Sequence, residues 1–266
     1  MTLNNVEKFR AKIEAGHVCV GSAISFSDAA VSELFGEAGY DFTWIDMEHC
    51  PIDLGTALGH IMAVRGTEAA PFVRVPANDP VLIKPVLDLA PAAIIVPLIR
   101  THDGAAQAVR ACKYPPAGIR GYGPRRGTRF GAVPQTEYLE NADSQTMVVI
   151  QIEHIDAIGD LDAILATPGL DAVCLGPNDL SGSMGLLGQI DHPDVIAAID
   201  MVVRKVRETD LYLGVATGYT PETTRRWLEK GIQWMCLNTD YGSMFTQARA
   251  VLDGVRETER ILNRSR

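Results

Sequence analysis

Short apolar runs in this chain repeatedly end in residues able to do acid–base or ligand chemistry. In order they are Trp44-Ile45-Asp46-Met47-Glu48-His49, Val73-Arg74-Val75-Pro76, Gln151-Ile152-Glu153-His154, Leu175-Gly176-Pro177-Asn178-Asp179-Leu180-Ser181, Ala216-Thr217-Gly218 and Asn238-Thr239-Asp240. Charged and amide groups emerging from apolar strands cost free energy unless they are paired or used. Glu153 and Asp179 fall at matching heights on neighbouring strands, with no cysteine and no close pair of histidines. Such an oxygen-rich pair suits a hard divalent ion, Mg²⁺ or Mn²⁺, that keeps waters or substrate oxygens. The plainer alternative is two rim carboxylates paired with arginines. The fork of Arg74 fits a substrate oxyanion or carboxylate, or else ties strand ends together. His49 follows Asp46 and Glu48, which can orient it or raise its pKa as a general base requires; the same pattern fits a surface hydrogen-bonder.

Other candidates carry less. His154 can cap the next helix, and His17, His60, His102 and His192 read as surface or loop residues. Lys8, Lys12, Lys84, Lys113, Lys205 and Lys230 all fall on expected helices or their ends. A Schiff-base aldolase needs a buried amine on a barrel strand, so that chemistry is not expected. The Gly/Ser-rich stretch from Gly176 to Gly185 is either a cradle of backbone N–H groups for a carboxylate or a plain tight turn.

These residues need a scaffold that brings strand ends together. Strand-like runs alternate with helical patterns along the whole length, the sign of a parallel sheet with crossover helices. The expected strands are His17–Ser25, Tyr40–Asp46, Ala70–Val75, Ala92–Ile99, Thr146–Ile152, Asp171–Leu175, Leu211–Ala216 and Ile232–Asn238. The expected helices are Asp28–Ala38, Leu54–Val64, Pro80–Leu89, Gly104–Cys112, Asp156–Ala166, Asp194–Glu208, Pro221–Lys230 and Ser243–Leu262, with a short leading helix within Met1 to Glu14. Eight of each close a (β/α)8 barrel, whose chemistry sits at the C-terminal strand ends. A doubly wound open sheet is the alternative, but no G-x-G-x-x-G follows the first strand. At 266 residues and 47% hydrophobic, the chain suits one domain spanning 1–266. Tyr114 to Gln145 reads as a long irregular stretch.

Composition excludes several classes. A net charge of −9 opposes a nucleic-acid partner, which needs a basic face. No apolar run approaches the roughly 18 residues of a membrane span, and the polar start is unlike a signal peptide. Five widely spaced cysteines without a C-x-x-C pair fit reduced, mostly buried thiols of a cytoplasmic protein. Cys50 beside His49 is the one candidate thiol nucleophile.

Taken as an ordered set, Asp46-Met47-Glu48-His49, Val73-Arg74-Val75-Pro76, Pro115-Pro116-Ala117-Gly118-Ile119-Arg120-Gly121, Gln151-Ile152-Glu153 and Gly176-Pro177-Asn178-Asp179-Leu180-Ser181 resemble the motifs of the HpcH/HpaI aldolases. The resemblance covers nearly the whole chain. It implies a class II, metal- and pyruvate-dependent aldolase that cleaves 4-hydroxy-2-oxo acids to pyruvate or hydroxypyruvate plus an aldehyde. On that resemblance Glu153 and Asp179 ligate a divalent cation (Mg²⁺, Mn²⁺ or Co²⁺), which the 2-oxo acid chelates. Arg74 and Gln151 hold the ketone oxygen, His49 moves protons, and the Asn178 and Asp179 amides receive the substrate carboxylate. Asp88, in Val86-Leu87-Asp88-Leu89, matches the family's partner carboxylate for the histidine. The chain's own pattern puts it at a helix end away from the rim, so only a neighbouring subunit or an unusual path would use it. A homohexamer is also implied, with the last helix packed on a neighbour; Met244, Phe245, Ala248, Val251 and Leu252 fit that, or packing on the chain's own barrel.

Two departures bear on the substrate. Position 178 is Asn where the family often has Ala, and the loop Tyr122–Phe130 is rich in arginine, which suits an anionic or hydroxylated acceptor or plain salt bridging. The competing functions are an acyl-CoA thioester lyase of the same superfamily, which would need a basic groove, and a non-catalytic barrel that binds 2-oxo acids.

Overall fold

The computed structural model describes residues 3–264; Met1 and Thr2, where the expected leading helix begins, lie outside them. Among the described residues are eight strands: β1 (Cys19–Ile24), β2 (Phe42–Asp46), β3 (Ala70–Arg74), β4 (Ala93–Val96), β5 (Met147–Ile152), β6 (Ala172–Leu175), β7 (Tyr212–Thr217) and β8 (Trp234–Thr239). They pair in parallel in sequence order and β8 closes on β1, giving the expected (β/α)8 barrel. β4 and β5 are buried along their whole length, as strands covered on both faces must be.

Two apolar clusters interleave along the strands. Phe42 and Trp44, Phe72, Ala93 and Ile95, Met147 and Val149, and Trp234 and Cys236 belong to one. Ile45, Val73, Ile94 and Val96, Val148 and Ile150, and Met235 belong to the other. Alternation with period two identifies the first as the barrel interior and the second as the layer between sheet and helices. The leading helix, Val6–Glu14, buries Val6, Phe9 and Ile13 within the interior cluster and so plugs its N-terminal end. Asn4 fastens this plug by donating to the carbonyls of Pro91 and Gln145 at 2.8 Å each. Glycines make room for the large rings: a Cβ on Gly214 would lie 2.0 Å from the Trp234 ring, and one on Gly21 2.3 Å from Phe42.

Four elements differ from expectation. The helix expected over Asp156–Ala166 breaks into Asp156–Gly159 and Leu161–Leu165, because the Asp160 side chain turns away to accept from the His102 amide at 2.6 Å. Within the stretch read as irregular, Gln135–Gln145 is helical behind Pro134; only Tyr138 and Ala142 are buried along it, so its apolar signal is faint. The Gly/Ser-rich stretch contains a short helix, Pro177–Ser183, with proline in its first turn. His60, read as a surface residue, is fully buried in the helix Leu54–Ala63. Its ring lies 2.8 Å from Ser32 Oγ and 2.9 Å from the Phe26 carbonyl, which is why burial is tolerated.

The last helix, Asp240–Arg264, starts directly after β8 and buries only Asp240. Met244, Phe245, Val251 and Leu252 are exposed. Packing of this face on the chain's own barrel, one of the two expectations for it, is therefore not what forms. No helix among the described residues is long and apolar enough to cross a membrane.

Candidate active site

Along the inward positions of β2, β3 and β5, apolar side chains give way to polar ones toward the C-terminal end. β2 runs Phe42, Trp44, Asp46; β3 runs Ala70, Phe72, Arg74; β5 runs Met147, Val149, Gln151 and continues to Glu153. A cavity of about 450 Å³ opens above this change, lined by His49, Arg74, Gln151, Glu153, Asn178 and Asp179 among others. Its size lies within the range of small-molecule sites. Every site residue expected from sequence therefore lines one cavity, except Asp88.

Arg74 is the most constrained of them. Its Nε and Nη2 donate to Asp46 at 3.0 and 2.6 Å, its Nη1 lies 3.0 Å from Glu48 Oε2, and its guanidinium sits over the Trp44 ring at 5.3 Å. Burial opposes the charge of Arg74, but Asp46, Glu48 and Glu153 more than offset it and raise its pKa. For Asp46, burial is likewise outweighed by Arg74 and by the amides of Glu48 and His49, so its carboxyl falls below the usual range. Asp46 was expected to orient His49; instead it clamps Arg74 and caps the turn after β2 through the Glu48 and His49 amides at 3.0 and 3.3 Å. The inward parity of Asp46 and Arg74 on adjacent, paired positions of β2 and β3 is the signal that finds this contact.

Gln151 links the arginine to the acids, accepting from Arg74 Nη1 at 3.4 Å and donating to Glu153 Oε2 at 2.9 Å. Glu153 is buried, and its Oε1 accepts from the Leu98 amide at 2.7 Å. Gly176 lets it fit, since a Cβ there would meet Glu153 Oε2 at 2.6 Å. Burial, then Asp179 and Glu48, push the Glu153 carboxyl up to about 7, against the Leu98 amide and Arg74. Glu48 is raised for the same reasons, burial first and then Asp46 and Asp179, with Arg74 and His49 opposing. Glu48, Glu153 and Asp179 thus crowd one rim beside a single arginine that Asp46 already pairs with, an arrangement that a dication would relieve. Hard oxygen donors suit Mg²⁺ or Mn²⁺. No group of three or more His, Cys, Asp or Glu gathers as a metal cage among the described residues, so substrate or solvent must complete any coordination sphere built on Glu153 and Asp179.

His49 stands at the mouth with an exposed ring, Nε2 3.8 Å from Glu48 Oε2. His154 does cap the following turn, its Nδ1 accepting from the Asp156 amide at 3.2 Å. Cys50 is partly buried and its thiol is pushed up to about 11, by burial first and by Asp46 and Asp240 next. That is the reverse of what a thiol nucleophile needs. No lysine lines the cavity.

Asp88 lies elsewhere. It closes the helix Pro80–Leu87, which leads into the start of β4, at the opposite end of the barrel from the cavity. Its Oδ1 accepts from Arg120 at 3.1 Å, and the Arg120 guanidinium stacks over Tyr114 at 4.5 Å. The arginine-rich loop belongs to the same end: Arg126 donates to the Leu89 and Ala90 carbonyls. The far wall of the cavity is lined by Thr217, Asn238 and Thr239, from the two further strand ends singled out in the sequence, and by Ala23, Cys236 and Tyr241, which sequence reasoning missed.

Known proteins resemble this chain over most of its length. The profile of the family described as HpcH/HpaI aldolase/citrate lyase matches residues 24–244. A 5-keto-4-deoxy-D-glucarate aldolase of Salmonella paratyphi A is 34% identical over 247 residues, covering 92% of this chain and 95% of that protein. Among solved structures, an HpcH/HpaI aldolase/citrate lyase family protein from Burkholderia cenocepacia J2315 superposes with a TM-score of 0.85 at 32% identity, over 94% of this chain and 98% of that one. An HpcH/HpaI aldolase from Desulfitobacterium hafniense DCB-2 gives 0.87 at 27%, over 93% and 96%. On the family profile and on this identity over nearly the whole chain, the chain belongs to the HpcH/HpaI aldolase/citrate lyase family and is a lyase of the class II aldolase type.

Proposed function

We propose that this chain, acting as one domain over residues 1–266, reversibly cleaves a 4-hydroxy-2-oxo acid to pyruvate or hydroxypyruvate and an aldehyde, with Glu153 and Asp179 as ligands of a Mg²⁺, Mn²⁺ or Co²⁺ ion. The observation that carries this reading is the crowding of Glu48, Glu153 and Asp179 beside the clamped Arg74, with the Glu153 carboxyl pushed up to about 7. A bound dication supplies Lewis acidity toward the negative oxygen that develops as the carbon–carbon bond breaks.

The protein's own groups do the rest. Arg74, its Nε and Nη2 held by Asp46 and its guanidinium over Trp44, offers Nη1 and its fixed positive charge to the ketone oxygen as that becomes an enolate, a preorganised charge that costs no reorientation during reaction. Gln151 holds Arg74 and Glu153 at fixed separation. The first-turn amides of Asn178 and Asp179 have no partner within the helix, and both residues line the cavity, so these amides would serve as donors for the substrate carboxylate. His49 at the mouth accepts the proton of the C4 hydroxyl in cleavage and returns it in synthesis. Asp88 reaches a histidine only across a subunit boundary, so its role requires a homo-oligomer, a hexamer on the resemblance. The uncovered apolar face of Asp240–Arg264 supports such an assembly: exposed Val251, Val255 and Leu262 line a depression of about 690 Å³ along it.

The rival thioester lyase needs a basic groove at the cavity, and the only arginine-rich loop lies at the other end of the barrel. Aldehyde-dependent consumption of pyruvate or hydroxypyruvate tests the reading. Activity should vanish with EDTA and return with Mg²⁺, Mn²⁺ or Co²⁺; activity indifferent to EDTA sinks the metal assignment.

A further inference from the structure

The cavity has two unlike walls. On the β2, β3, β5 and β6 side nearly every polar group is already paired or charged. On the β7–β8 side the lining groups are neutral, and several have no partner: no hydrogen bond engages the side chains of Thr217, Asn238 or Tyr241 among the described residues, whereas Thr239 Oγ1 already accepts from the Gly242 amide at 3.0 Å.

The backbone of β8 is irregular at this point. Gly21 pairs with Cys236 and Ala23 with Thr239, so one residue of β1 faces two of β8, Leu237 and Asn238. Such a bulge resets which side chains face inward and commonly re-aims one beside an active site. Here two successive residues beside the bulge, Asn238 and Thr239, line the same cavity. Asn238 takes φ +65° at the bulge, a left-handed conformation that glycine adopts freely and that asparagine tolerates better than most other residues. An exposed, unpartnered amide is thus held on the cavity wall. An amide offers donors and an acceptor and carries no charge.

The basic side chains lining the cavity, Arg74 and His49, both belong to the opposite wall. An anionic group brought against β7 and β8 would lose water without gaining a cation; hydroxyl groups would find Asn238, Thr217 and the Tyr241 hydroxyl. We propose that Asn238, supported by Thr217 and Tyr241, is a specificity residue that binds the hydroxyl groups of an uncharged, hydroxylated acceptor aldehyde. This inference rests on the aldolase reading above.

Metal-loaded full-length enzyme with pyruvate as donor provides the test, using glyceraldehyde, its deoxy analogue propanal, and the anionic succinic semialdehyde as acceptors. Wild-type kcat/KM should favour glyceraldehyde over propanal by about tenfold, the scale of one or two hydrogen bonds. Asn238→Gly, which suits the left-handed backbone and so preserves the bulge, should collapse that ratio to about twofold; the near-isosteric Thr217→Val should lower it less. An unchanged ratio in N238G, or a wild-type preference for succinic semialdehyde over glyceraldehyde, overturns the proposal. Exchange of pyruvate methyl protons into D2O by the wild type separates the two levels. Exchange with an unchanged ratio sinks only the role of Asn238, while absence of exchange sinks the aldolase reading and this inference with it.

Discussion

At the N-terminal end of the barrel, Phe9, Phe42, Phe72 and Trp234 meet mostly edge to face, with centroids 4.8 to 6.5 Å apart. One inward position above Trp44 and Phe72 stand Asp46 and Arg74, and one above Val149 stand Gln151 and then Glu153. The floor lowers free energy by removing rings from water. The rim does the reverse, holding Glu48, Glu153 and Asp179 close enough that burial and mutual repulsion raise the carboxyls of Glu48 and Glu153. The same strands thus serve stability in their lower half and chemistry in their upper half, and substitutions in the two halves should separate the two properties.

The largest effect is expected at the rim. Glu153→Gln and Asp179→Asn should each lower kcat/KM by at least ~10³-fold, the scale of losing a metal's charge stabilisation. Measured with EDTA present, their thermal midpoints should not fall, because each removes a like charge from a crowded site. A variant that keeps its turnover would break the proposed assignment of roles; one that unfolds would break the division itself.

The floor should behave oppositely. Phe72→Ala should cost about 3–5 kcal/mol of stability in urea unfolding, while the fraction that stays folded keeps a near-native KM. Gly214→Ala sharpens this. Its Cβ would fall 2.0 Å from the buried Trp234 ring, so the ring must shift, at about 1–3 kcal/mol. Stability unchanged by G214A would mean that the floor is packed more loosely than the distance implies.

Much of this division is legible in the sequence, because it rests on period-two patterns. The apolar runs that become β2, β3, β5 and β6 predict both the barrel and the strand ends at which His49, Arg74, Gln151, Glu153 and Asp179 emerge. What sequence reading misses depends on contacts between strands. Asp46 is two positions from Glu48 and three from His49, so proximity along the chain suggests the histidine; across the β2–β3 register it meets Arg74 instead. Asn238 looks like an ordinary strand end because a bulge leaves no mark in hydropathy. The position of Asp88 is legible as well: the chain's own pattern puts it at a helix end away from the rim, and there the structure has it.

The smallest expected effect probes the ground behind the rim, where a polar group serves structure alone. His60 is fully buried and bridges Ser32 Oγ to the Phe26 carbonyl, and the Phe26 amide in turn donates to Asp240 at 2.9 Å. It therefore braces the turn after β1 that the buried Asp240 also holds. Burial depresses the pKa of His60, against the Phe26 carbonyl, Asp240 and Asp28, which act to raise it. A base depressed in the folded state binds fewer protons there than in the unfolded chain, so its contribution to stability is complete above the ordinary histidine value near 6.5 and is lost as pH falls below it. The urea midpoint of the wild type should accordingly drop between about pH 6.5 and 5. His60→Gln, which can still reach both partners, should show a shallower drop over the same interval. Because other rim groups titrate there in both proteins, the difference between the two slopes is the quantity to read. Equal slopes would mean that His60 takes up its proton without leaving the fold, and that the polar seam behind the rim is wetter than its burial indicates.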